Sequence, residues 1–135
     1  MKKYLAASLA VFVFILAFDH FVAPALLGPV MASIAGAVAE YSRTWEAFGD
    51  LCAALVMTGL YARTRSVFGA TPKGGAVYGV YAGLLVNFPT WQWMTLYFGW
   101  PYRAAWTFTI ALFALDVVAG AIMGAVYQAM DKRAA

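Results

Sequence analysis

A short set of polar side chains interrupts an otherwise apolar chain, and any chemistry must come from it: Asp19, His20, Asp50, Asn87, Gln92, Arg103 and Asp116. Asp116 lies about a dozen residues inside either end of an apolar run. If that run sits in lipid, a bare carboxylate there costs from about 2.5 to above 10 kcal/mol. It must therefore be partnered or carry a proton, which makes it a candidate proton or cation site. Asn87 is a candidate partner, and Arg103 a natural counter-ion for one of the acids. His20 could titrate near neutral pH. As the one histidine of a chain with one cysteine, it lacks the companions a metal or haem site needs, so no metal and no cofactor is expected. Asp50 shares a helical face with Glu46, Ala54 and Thr58. If these groups converge, they line one polar pocket in an apolar frame, with Asp116 and Asn87 at its centre.

The composition says where such a pocket would sit. Of 135 residues, 64% are hydrophobic and 11% charged, against about 25% charged in soluble domains. A water-soluble domain of this size could not hide that much apolar surface. The expected fold is all-α: one integral-membrane domain, residues 1–135, built as a four-helix transmembrane bundle. Its spans are about 4–22, 45–63, 75–98 and 102–128, each near the ~20 residues a bilayer requires. Residues 25–41 are also apolar but contain Gly28 and Pro29 and follow Pro24. A straight helix from 4 to 39 would measure about 54 Å, too long for one crossing. The expectation is a span ending near Phe21, then an interfacial or re-entrant helix.

Four spans place both termini on one side. Lys2, Lys3, Arg63, Arg65, Lys73, Lys132 and Arg133 then share that side, leaving Arg43 and Arg103 opposite. The positive-inside rule makes the richer side cytoplasmic. All five tryptophans fall near the other boundary, as an interfacial aromatic belt would. The reading is a multi-pass protein of a bacterial inner membrane with both termini cytoplasmic. The start also resembles a signal peptide, with Met1-Lys2-Lys3, an apolar stretch and Ala23-Pro24-Ala25, but an uncleaved first span is preferred. The basic clusters suit anionic headgroups, not nucleic acid. Cys52 is expected to be a buried structural thiol.

Glycines give the packing. Gly75, Gly79 and Gly83 recur every four residues, and the next step lands on Asn87; Asp116, Gly120 and Gly124 keep the same spacing. In lipid, helices meet through close packing and hydrogen bonds, so stripes of small residues mark the contact. Laid antiparallel, the two stripes match as Gly79 with Gly124, Gly83 with Gly120, and Asn87 with Asp116. Pro89 should kink the third span just beyond.

Three stretches carry a resemblance: the opening "MKKYLAA" leading to Asp19, Gly75-x-x-x-Gly79 with Tyr78, and "GWP" (Gly99, Trp100, Pro101) before a final span with an acid. Over about half the chain it resembles uncharacterised small four-span bacterial membrane proteins. That resemblance implies a fold and a location but no reaction. The chain departs from the pattern in Asn87-Phe88-Pro89, where a more acidic segment is expected, and in the distance from Gly99-Trp100-Pro101 to Asp116.

Three functions follow from these residues. The first choice is a non-enzymatic accessory, assembly or structural subunit of a membrane complex, meeting the lipid bilayer and either a membrane-protein partner or further copies of itself. The alternative is a small transporter or solute- or proton-binding bundle using the outward-facing pocket. An intramembrane enzyme would need two of Asp19, Asp50 and Asp116 to share a proton. No nucleophile elbow, His-x-x-x-His pair or phosphate loop accompanies them, so no residue is assigned a catalytic role.

Overall fold

The computed structural model describes residues 1–34 and 42–133. These are helical almost throughout: α1 (Lys2–Ala17), a π-helical turn (Phe18–Val22), α2 (Ala23–Ser33), α3 (Arg43–Phe68), α4 (Pro72–Leu96) and α5 (Tyr102–Lys132). No strand occurs among the described residues.

The expected break at Pro24 is absent. Helix runs continuously from Lys2 to Ser33. A proline inside a helix lacks the N–H for the bond four residues back, and its ring strikes that carbonyl. Here the chain loosens first. The Ala23 N–H bonds the Phe18 carbonyl, five residues back, and this wider turn accommodates Pro24 at the start of α2. Of the interfacial helix expected over 25–41, residues up to Ser33 are helical and continue the first helix. Residues 35–41 lie outside the described residues.

Two helices are long and apolar enough to cross a membrane, Lys2–Ser33 with 32 residues and Tyr102–Lys132 with 31. Helix α3 is shorter, with 26 residues, and carries Arg43, Glu46 and Asp50 near one end and Arg63 and Arg65 near the other. Helix α4 has 25 residues and is rich in glycine, tyrosine and tryptophan. It begins cleanly: Thr71 caps it by accepting the Gly74 N–H at 3.0 Å, with Pro72 in the first turn. The turns on either side of α4 need positive φ, supplied by Gly69 (87°) and Gly99 (63°).

The closest helix pair is α4 with α5, and glycine is the reason. A Cβ on Gly75 would overlap the Gly120 carbonyl, one on Gly79 the Asp116 carbonyl, and one on Gly124 the Thr71 carbonyl. The stripes therefore dock face to face, but one to two turns from the pairing of Gly79 with Gly124 and Gly83 with Gly120. Helix α1 packs on α3 and α5 through Ala7, Val11 and Ile15, a stripe with the same four-residue step. The core joins these to Ala54, Tyr61, Tyr78, Leu115, Ala119, Met123 and Tyr127.

The ends of the bundle differ. One gathers the start of α1, the α3–α4 turn and the end of α5, and with them Lys2, Lys3, Arg63, Arg65, Lys73, Lys132 and Arg133; it is called the basic end here. The other, the aromatic end, holds Trp45, Trp91, Trp93, Trp100 and Trp106. Cys52, expected to be buried, is exposed on α3. It follows Asp50 by two residues, about 200° around the helix, and so points away from the face that Asp50 shares with the buried Ala54.

Candidate functional site

The polar residues singled out by the sequence form no single pocket. They divide into an acid group, a buried pair, and Arg103 and Gln92 in separate openings.

The acid group lies at the aromatic end, where the π-helical turn carries Asp19 and His20 past the first turns of α3. The Asp19 and Asp50 carboxyls lie close enough to feel each other's charge, and Glu46, one turn before Asp50, adds its charge to both. One Asp50 oxygen, Oδ2, is buried and meets no donor. Beside them opens a cavity of about 600 Å³ lined by Asp19, His20, Pro24, Arg43 and Glu46 among others. His20 and Arg43 are exposed at its mouth. No group of three or more histidine, cysteine, aspartate or glutamate side chains suited to a metal ion occurs among the described residues.

The pair is Asn87 with Asp116. The Asn87 amide donates to Asp116 Oδ2 at 2.7 Å, and Asn87 is only 3% exposed. The bond forms although the glycines pair in a different register. Side chains lean toward the N-terminus of their own helix. On antiparallel helices Asn87 and Asp116 therefore lean toward each other along the axis and close an offset that their backbones leave. Gly83 lies between them, and its missing side chain is where the carboxyl sits: a Cβ there would come within 3.3 Å of Asp116 Oδ2. Toward the aromatic end, Leu84, Phe88, Trp106, Thr109, Ile110 and Phe113 close a small apolar cavity of about 120 Å³ over Asn87.

Arg103 stands apart from the acids. It is exposed and lines a cleft of about 510 Å³ between α2 and α5, with Pro29, Ser33 and Thr107. Gln92 lines another opening, of about 390 Å³, beside the helix-interior Pro89 and Trp91. Trp91 departs from the expected belt. Its ring packs on Trp106 at 4.9 Å and on Tyr102 at 5.8 Å, and its indole N–H is buried without a partner.

Sequence reasoning missed two features. Glu46 and Arg43 belong to the acid cavity, and the four-residue step from Glu46 to Asp50 was the available signal. The second is at the basic end, where polar groups beyond headgroup anchors were not expected. There Asp131 binds both the Lys3 ammonium and, at 3.4 Å, the Arg65 guanidinium, tying α5 to α1 and α3. The hydrogen bond from Lys3 holds the Asp131 carboxyl below the usual carboxylate range, and the charges of Lys3 and Arg65 act in the same direction. Arg65 also lies over the Tyr127 ring, 5.3 Å from its centre. Nearby hydroxyls fasten helices to backbone: Tyr61 to the Gly69 carbonyl at 2.7 Å, Tyr78 to Met57 at 2.9 Å and Tyr4 to Leu55 at 3.2 Å.

No known protein family, curated protein or solved structure matches the chain.

Proposed function

We propose that this chain is a non-enzymatic four-span membrane protein whose acid-lined cavity, open to the outer side, takes up protons or a small cation. The carrying observation is a roughly 600 Å³ cavity walled by Asp19 and Glu46 from two different helices, with Asp50 close beside Asp19. The site of uptake is then this acid group and not Asp116, whose carboxyl is held by Asn87 beside a small apolar cavity.

The surface supports a lipid setting for all four helices. The interior is largely glycine and alanine with a few tyrosines, whereas large apolar side chains face outward, among them Leu85 at 77% and Val56 at 61% exposure. In water that arrangement exposes far more apolar surface than a monomer tolerates; in lipid it is the expected economy. The excess of cations at the basic end sets that end in the cytoplasm, both termini with it, in a bacterial inner membrane. The aromatic end, with the acid cavity, then faces out.

An accessory subunit would need docking stripes on its outer surface. The glycine stripes of α4 and α5 face each other and are consumed in that contact. Reconstitution tests the choice. In proteoliposomes the protein should pass protons or monovalent cations above the level of empty vesicles. Asp19→Asn and Asp50→Asn should each abolish that flux, and Asp116→Asn should leave it. Vesicles as tight as empty ones would return the protein to the accessory role.

A further inference from the structure

The basic end carries a second cleft, of about 460 Å³, between the start of α1, the last turns of α3 and the end of α5. Lys2, Lys3, Arg65, Tyr4 and Tyr127 line it. We propose that this cleft seats the phosphate headgroup of an anionic phospholipid. Three cations converge on it and one acid, Asp131, answers them. A net positive charge of about two is left over, matched in chemistry by a phosphodiester. Asp131 takes one contact from Lys3 and one from Arg65, while an ammonium has three donors and a guanidinium five. Donors therefore remain for a ligand, and the Tyr127 ring beneath Arg65 holds the guanidinium in place. Lys2 forms no ion pair among the described residues and is exposed. On the outer flank of α1, Leu5 and Leu9 are exposed where acyl chains would lie. A lipid, not a free anion, is the favoured source, because a headgroup arrives held at the membrane surface where basic residues gather it.

The inference rests on the reading that this end lies at a membrane surface, which resistance to carbonate extraction from membranes checks by itself. The site is tested on the full chain in neutral detergent by native mass spectrometry, with phosphatidylglycerol, phosphatidylcholine or inorganic phosphate added. Phosphatidylglycerol should be retained in preference to phosphatidylcholine. Lys2→Gln and Arg65→Gln should each weaken that retention about five-fold, since one basic residue near an anionic surface contributes about that factor. Asp131→Asn removes the competing acid and should tighten retention, whereas a purely structural acid would only loosen the fold. Equal retention of the two lipids, or retention indifferent to Lys2→Gln, would overturn the proposal. Occupancy by inorganic phosphate that displaces the lipid would overturn the lipid as its source.

Discussion

At the residue scale, Asn87 and Asp116 show what a buried acid requires. A carboxyl enclosed by apolar surface needs a donor, and here one amide, 2.7 Å away, supplies it. Removing the amide strands the acid; removing the charge does not strand the amide. Asn87→Leu should therefore destabilise the protein by about 1–3 kcal/mol, the cost of an unsatisfied buried polar group. Asp116→Asn, which keeps an acceptor oxygen, should cost much less. Unfolding in mixed micelles measures both. Equal losses would mean that the pair contributes only through its volume. The partnership was legible in the sequence, since both residues end a glycine ladder with a four-residue step. The meeting of Asp19 with Asp50 was not. Nothing periodic links residues so far apart in the chain, and Asp19 reaches α3 through a π-helical turn that residue spacing does not reveal. Cys52 failed for a different reason: the rule that cysteines are buried assumes water outside, and the proposed lipid exterior removes the incentive.

At the element scale, backbone contact between α4 and α5 depends on the missing side chains of Gly75 and Gly79 on one helix and Gly120 and Gly124 on the other. Gly120→Ala would drive a methyl into the Gly75 carbonyl, so the helices must part. A loss of about 1–3 kcal/mol or more is expected, as for overpacked cores. Gly49→Ala provides the control. Nothing lies within 4 Å of a Cβ at that position, so the better helix former should be neutral or stabilise by up to about 1 kcal/mol. Thermal unfolding of the two variants separates them, and similar effects would refute the close approach. The docking faces could be read from sequence, because each follows from residue size and helical period. The register could not. Counting residues levels the backbones, whereas the hydrogen-bonded side chains lean along the axis and meet at another height. The first helix was misjudged at Pro24 for a related reason. Proline forbids a regular helix there, but one wider turn is enough to carry the chain past it.

At the scale of the whole molecule, the chain places small residues inside, large apolar ones outside, cations at one end and indoles at the other. That distribution supports the proposed bilayer setting more strongly than any one segment does. Composition made the helical class and the two most apolar helices legible. Helices α3 and α4 are harder to read, since charges near both ends of one and the glycines and aromatic residues of the other dilute the apolar signal. The number of crossings decides whether the acid cavity opens outward, and thiol labelling measures it directly. In a Cys52→Ser background, single cysteines replace Thr71, in the α3–α4 turn, and Gly99, in the α4–α5 turn. Sealed right-side-out vesicles are then exposed to a membrane-impermeant maleimide. Four crossings predict labelling at position 99 and none at position 71 until the vesicles are opened. Labelling at both positions in intact vesicles, or at 71 alone, would contradict the account.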